Sequence, residues 1–338
     1  MASKPNRLDI FRDTIEKYGR NAMEKAIVEI LNQNYGATTI SSALKIHANF
    51  LRHVSPIFPA LTALTCEAAG GEVEKTTNIG AALTLFVEAA NLHDDIIDQT
   101  VTKYGIKTVF GRFGRDITLL AGDMLLVQGS MLLHRECDKL QDKQKKSILD
   151  LTFAALIEIS NSVTIETEMR KRIDIKPEDY SKVIRLRAAV PEAHCRIGGV
   201  LGEGSKEIID ALGHYGRIYG IVGTVVDDFM DLLDYRKFKN RLRNECLPLP
   251  VLSALGDRGI KKETKSLLNK SGVAKRDTDN LVRLVLQNNE VKKLKKDTIQ
   301  LAEAELEQVK KVIGNNGAKL INLHLLIEIL KEILLNVG

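Results

Sequence analysis

Two acidic clusters of one design, Asp94-Asp95-Ile96-Ile97-Asp98 and Asp227-Asp228-Phe229-Met230-Asp231, each end a long apolar stretch of the chain. On a helix, residues four apart share a face, so the outer carboxylates of each cluster project together while Asp95 and Asp228 sit beside them. Such a density of negative charge on an apolar helix is costly unless a cation neutralises it, because like charges suppress one another's ionisation and burial disfavours each of them. All-oxygen ligation suits Mg²⁺, which takes one or two carboxylates, keeps several waters and completes its shell with substrate phosphates. A single such cluster also suits a solvated helix end. Two of them, preceded by Leu85, Phe86, Val87, Ala89, Ala90 and Leu92 in one case and by Ile221, Val222, Val225 and Val226 in the other, point into a lined cavity.

The chain has 338 residues, 44% of them hydrophobic, enough to bury a large core. Its 49 lysines and arginines exceed its 44 aspartates and glutamates by five. The basic runs at 236–239 and 292–296 are not interleaved with stacking aromatics, so no nucleic-acid partner is expected. The four cysteines, Cys66, Cys137, Cys195 and Cys246, form no CxxC pair, which implies a reducing compartment. With no apolar signal core at the N-terminus and no uninterrupted apolar run of about eighteen residues, no transmembrane segment is expected and the protein reads as cytoplasmic.

Apolar residues recur at helical spacing nearly throughout, and no strand alternation stands out. Helices are expected over 8–33, 37–53, from Pro56 to Gly70-Gly71, and over 76–98. A Gly-containing loop, Lys103-Tyr104-Gly105, follows. Ala121 begins or continues the next helix; 144–171 and 206–234 are helices, Pro177 opens another, and about four shorter ones run from 262 to the end. No Gly-, Pro- or Ser-rich linker appears, so residues 1–338 read as one all-α domain, with the Leu320–Val337 stretch an ordinary amphipathic helix. His93 is read as packing beside the first cluster, Tyr104 as a loop cap, and His194 and Cys195 as core.

Two DDxxD helices in an all-α chain of this length, with Gly122-Asp123-Met124-Leu125 after the first and Leu247-Pro248-Leu249-Pro250-Val251-Leu252-Ser253-Ala254-Leu255 after the second, resemble the trans-polyprenyl diphosphate synthase family over roughly residues 40–260. The resemblance implies the isoprenoid synthase type I fold, a helical bundle around a central apolar cavity. It also implies an Mg²⁺-dependent prenyltransferase that condenses an allylic diphosphate with isopentenyl diphosphate. About three Mg²⁺ ions would accompany the diphosphate, with the metal as Lewis acid. Position by position it makes Asp94, Asp95, Asp98, Asp227, Asp228 and Asp231 metal-binding, and assigns catalysis to Asp94, Asp98 and Asp227. Arg52, Lys103 and Arg187 would contact substrate, together with Asp95 and Asp228. Phe86, Ala89 and Ala90 would lie along the growing chain. Small Ala89 and Ala90 would let the chain pass to Phe86, roughly 12 Å below the metals, which predicts a product of C20 or longer. A homodimer, or a heteromer with a homologous synthase, is expected.

Departures from the family pattern concentrate on the second substrate. Ser55, Val87 and Tyr104 stand where isopentenyl diphosphate ligands are expected, and Arg52 keeps one cation. Ahead of Leu247-Pro248, Glu245-Cys246 replaces Gly-Lys, leaving Arg236, Lys237, Lys239, Arg241 and Arg243 as substitutes. Two other readings therefore stand beside the synthase: a class I terpene synthase or diphosphate lyase needing only the allylic substrate, and a subunit of a heteromeric synthase.

Overall fold

The computed structural model describes residues 6–313 and 317–337, which are helical almost throughout. Helix α1 (Arg7–Asn32) opens at Asn6, whose side-chain oxygen accepts from the Asp9 N–H at 2.8 Å and so caps a helix end that has no preceding carbonyls. It is followed by α2 (Thr38–Leu51) and α3 (Ile57–Ala69). The latter stops where Gly70 adopts φ 105°, a left-handed cap that a side chain would oppose. A 3-10 turn, Val73–Thr76, leads into α4 (Thr77–Ile97), which carries the first acidic cluster.

The segment read as a plain loop is a small hairpin. Strands β1 (Thr102–Lys103) and β2 (Ile106–Lys107) pair antiparallel, Thr102 with Lys107 and Lys103 with Ile106. Tyr104 and Gly105 take φ 52° and 77°, the two positive values a tight primed turn needs. Two-residue strands are too short to leave an alternating pattern in the sequence. Helix α5 (Val109–Cys137) begins well before Ala121 and kinks at Gly114.

Then come α6 (Asp142–Glu168), α7 (Pro177–Arg187, with proline in its first turn), α8 (Ala189–Leu201) and α9 (Lys206–Leu233), which carries the second cluster. The remainder is α10 (Tyr235–Asn244), α11 (Leu249–Ala254), α12 (Arg258–Asn269), α13 (Lys275–Gln287), α14 (Asn289–Ile313) and α15 (Gly317–Asn336). At 25 residues, α14 is longer than the short helices expected there.

The described residues fall into two compact units, one drawn from Met1–Phe153, Ala193–Gly213 and Val312–Leu323, the other from Ala154–Glu192, His214–Lys311 and His324–Gly338. In the first, α4 packs on α5 and α1, α1 on α3, and α2 on α5. Small buried residues on α4, including Gly80, Ala81, Ala82 and Ala89, let backbones approach closely; a Cβ at Gly129 of α5 would meet the Ala82 carbonyl at 3.3 Å. In the second, α10, α12 and α13 pack together and α11 packs on α7 and α13. Tyr180, Tyr215, Phe229 and Phe238 are its largest fully enclosed side chains.

The lack of a long uninterrupted apolar run does not mean that no helix is long and apolar enough to cross a membrane. By length and composition, α5 and α6 are each long and apolar enough to cross a membrane, although neither holds an uninterrupted apolar run. Helix α5 buries Ala121, Gly122, Leu125, Gly129, Leu132 and Leu133 and packs on α4 and α2. Its other face exposes Leu120, Met124, Val127 and Met131 in one stripe at helical spacing.

Candidate functional site

Each acidic cluster has the same internal arrangement, in which the middle aspartate turns inward to a basic residue. In the first, Asp95 is buried and Lys103, delivered by the hairpin, stands 2.8 Å from its Oδ1. The approach is an ion pair without hydrogen-bond alignment, so this enclosed oxygen lacks a donor among the described residues. Burial pushes the Asp95 carboxyl up, with Lys103 opposing. Burial also works against the Lys103 charge, but Asp95, Asp94 and Glu88 outweigh it and raise the amine. Asp94 and Asp98 stand at the partly exposed end of α4.

In the second cluster Asp228 is sealed from solvent. Arg241 Nη2 donates to its Oδ1 at 2.7 Å and the Leu249 N–H to its Oδ2 at 2.8 Å. Burial pushes this carboxyl up to about 6 against those donors. Asp231 is held by Arg241 at 3.0 Å and by Lys237 at 2.9 Å. Asp227 reaches solvent and has no ion-pair partner among the described residues; protein atoms around it and the charges of Asp231 and Asp228 push its carboxyl up to about 6. The donors in both clusters are hard oxygens, and among the described residues no three His, Cys, Asp or Glu side chains converge as a ready cage. That composition fits Mg²⁺, which relies on one or two carboxylates plus phosphate oxygens, better than a metal needing a full protein shell.

The substrate residues inferred from the sequence are placed as follows. Lys103 is engaged by Asp95. Arg187 pairs with buried Glu166. Arg52 is exposed and donates to Asn49 at 3.1 Å. Ala89 is fully buried and Phe86 nearly so; the Phe86 ring stands 6.4 Å from that of Phe153, edge to face. Ala90 is half-buried. Tyr104 stands at the hairpin tip, 84% exposed, with its ring 6.1 Å from Phe50. His93 approaches Asp123 at 3.3 Å, and His194 is core, with Thr62 Oγ1 2.8 Å from its Nδ1. All four cysteines are buried, and among the described residues none is in a disulfide.

Sequence reasoning missed a cavity of about 200 Å³ beside the first cluster, lined among others by His47, Glu88, Asn91, Asp95, Lys103 and Lys107. His47 and Glu88 meet there at 3.1 Å, both buried. A histidine and a glutamate on apolar faces at 47 and 88 were the available signal, since such residues enter a core only when paired. Glu166 and Tyr180, which touch Arg241, were also missed.

The sequence model of the family described as Polyprenyl synthetase matches residues 50–285. A short chain isoprenyl diphosphate synthase of Methanothermobacter thermautotrophicus is 26% identical over 219 residues, covering 63% of this chain and 66% of that protein. A geranylgeranyl diphosphate synthase of Sulfolobus acidocaldarius is 29% identical over 175 residues, covering 52% and 53%. The aligned stretch thus spans between half and two thirds of these curated relatives. In three dimensions the chain is similar to geranylgeranyl pyrophosphate synthetase from Pyrococcus horikoshii, with a TM-score of 0.81 and 22% identity over 96% of this chain and 98% of that one, a likeness of fold. With the family match running through both acidic clusters, the hairpin and the Leu-Pro segment that caps Asp228, this chain belongs to the polyprenyl synthetase family.

Proposed function

We propose that the protein is an Mg²⁺-dependent trans-prenyltransferase that condenses an allylic diphosphate with isopentenyl diphosphate, giving a polyprenyl diphosphate of C20 or longer. The observation that carries this reading is the shared design of the clusters: in each an inward aspartate is neutralised by a basic residue, with Asp94 and Asp98 in the first and Asp227 in the second reaching the surface. Asp94, Asp98 and Asp227 would hold Mg²⁺ against the substrate diphosphate, with Asp95, Asp228 and Asp231 completing the acidic set. Bound there, the metal supplies Lewis-acid stabilisation of the negative charge on the departing diphosphate. The chain itself orients these carboxylates through Lys103 and Arg241. Its apolar side chains, Phe86 and Ala89 among them, exclude water from an allylic cation.

The cavity lined by Lys103 and Lys107 is the proposed place for the second substrate. Because Lys103 is already paired, Glu88 adds negative charge and Arg52 lies outside the lining, a lyase acting on the allylic diphosphate alone is the second reading. We also propose that residues 1–338 act as one domain, that the exposed α5 stripe supports a homodimer or a pairing with a homologous chain, and that buried cysteines outside any disulfide suit the cytoplasm.

The test is product analysis with C5, C10, C15 and C20 allylic diphosphates and Mg²⁺, with and without isopentenyl diphosphate. Products lengthening in five-carbon steps only when isopentenyl diphosphate is present support the synthase. Pyrophosphate release from the allylic substrate alone, with a hydrocarbon or alcohol product, supports the lyase. Activity only on mixing with a homologous chain supports the subunit.

A further inference from the structure

The cavity beside the first cluster holds an enclosed carboxylate where a diphosphate would need cations. Glu88 is 5% exposed and is fixed from two sides: His47 Nε2 stands 3.1 Å from its Oε2, and the Asn91 amide donates to its Oε1 at 3.2 Å. His47, 7% exposed, is held in turn by a stack on Phe50, with ring centroids 6.4 Å apart, and Phe50 stacks on Tyr104 at 6.1 Å. These rings all line the cavity, so His47 cannot leave Glu88 without unstacking. For all its closeness to Glu88, His47 Nε2 has no aligned hydrogen-bond partner among the described residues.

Against the carboxylates of Glu88 and Asp95 the lining sets the amines of Lys103 and Lys107. Lys103 is engaged by Asp95 at 2.8 Å, and Glu88 is among the charges that raise its amine. Lys107 makes no ion pair among the described residues, which leaves it as the lysine available to an anion. Apart from His47, the charges of the lining cancel, so the cavity meets a diphosphate with little net positive charge.

We infer that Glu88 is a specificity-determining residue of this cavity: its fixed carboxylate holds down the affinity for a diphosphate and leaves Lys107 to carry the contact. An enclosed like charge is poorly screened by water and salt, so it opposes an anion far more than a surface carboxylate would. The opposition grows with the charge of the ligand, and a diphosphate feels it more than orthophosphate does. The inference rests on the proposed use of this cavity by the second diphosphate. It deepens that proposal by naming the residues that set the affinity.

The experiment titrates inorganic pyrophosphate and orthophosphate into the full chain by calorimetry without divalent metal, so that the acidic clusters do not recruit the anion. Glu88→Gln keeps the side-chain shape, with a carbonyl for Asn91 and an amide toward His47. It should bind pyrophosphate about tenfold more tightly than the parent, the low end of what one neighbouring charge contributes, and orthophosphate should gain less. Adding Lys107→Gln to Glu88→Gln should abolish the gain, which places the anion in this cavity. In turnover assays Glu88→Gln should lower KM for isopentenyl diphosphate. Unchanged pyrophosphate affinity, an equal gain for both anions, or a gain that survives Lys107→Gln overturns the inference. A merely structural role for Glu88 would lower the melting temperature of Glu88→Gln without tightening pyrophosphate binding.

If circular dichroism shows that Glu88→Gln does not fold, Glu88→Ala decides the matter, since it leaves His47 and Asn91 facing the open cavity. The same preferential gain for pyrophosphate is expected, and its absence overturns the inference. Should neither parent nor variants bind pyrophosphate, the cavity is not a diphosphate site and the inference falls. Failure of the prenyltransferase reading looks different: pyrophosphate still binds more tightly to Glu88→Gln, but no product grows in five-carbon steps.

Discussion

Asp228 and Arg241 meet at 2.7 Å with both side chains enclosed, whereas Asp227, the neighbouring residue, looks outward. The two aspartates should therefore fail differently. Asp228→Ala leaves Arg241 short of a buried partner and should destabilise the protein by about 3 kcal/mol, the cost of breaking a buried pair. Asp227→Ala relieves repulsion from Asp231 and should leave the helical signal unchanged and the melting temperature no lower than the parent's while abolishing turnover; Asp94→Ala should likewise abolish turnover with its helical signal unchanged. Thermal melts followed by circular dichroism, with turnover on the same samples, check this. Retained turnover in both Asp94→Ala and Asp227→Ala would remove the clusters from the chemistry.

Product length is expected to respond to α4. Phe86→Ala should lengthen the products and cost about 3 kcal/mol, since the ring is enclosed beside Phe153. Ala89→Phe should shorten them. Chromatography of dephosphorylated products is the measurement, and parent distributions from both variants would show that other residues set the limit.

His194 makes stability fall with acidity. Burial pushes its pKa from 6.5 down to about 3. Between those values the unfolded chain binds a proton that the folded protein refuses, so stability is full above about pH 6.5 and drops as pH falls toward 3, by about 1.4 kcal/mol per pH unit. Urea midpoints at pH 7 and pH 4.5 should differ less for His194→Gln than for the parent. Equal pH dependence in the two proteins would mean that His194 titrates normally.

Gly122 is required by His93. A Cβ at position 122 would lie 2.3 Å from the His93 Nε2, so Gly122→Ala must swing the ring away from Asp123. A loss of about 1 kcal/mol is expected, at the low end for overpacking because the ring is partly exposed. His93→Ala added to Gly122→Ala should recover part of it; a double variant no more stable than Gly122→Ala alone would place the strain elsewhere.

Helix positions were legible because apolar spacing, Asn6, Gly70 and Pro177 are local signals. The hairpin was not, since strands of two residues leave no period and its turn rests on positive φ at Tyr104, a residue type that does not advertise it. Within the site, residue types and the grouping of each DDxxD on one helix could be read, but which aspartate turns inward could not. That choice depends on partners outside the helix that carries each cluster: Lys103 stands on the first strand of the hairpin, and Arg241 and the Leu249 N–H come from beyond α9. Arg241 was legible only as a cation substituting for a missing lysine. Its enclosure by Glu166, Tyr180 and Glu245 is a property of packing.

The carboxylates around Arg241 also bear on how the second unit comes together. Glu166 and Arg241 are 75 residues apart, so their contact closes a long loop, whereas the Arg241–Glu245 pair spans a single helical turn. Pairs of the second kind can form as soon as α10 does; those of the first must wait until α6, α7 and α9 have docked. The cations of the second cluster, Lys237 and Arg241, lie within 13 residues of Asp228 and Asp231, so what α6 brings from a distance is a further carboxylate, Glu166. Its docking should therefore be a late step in refolding, opposed by the charge already gathered there, and one that quickens with added salt.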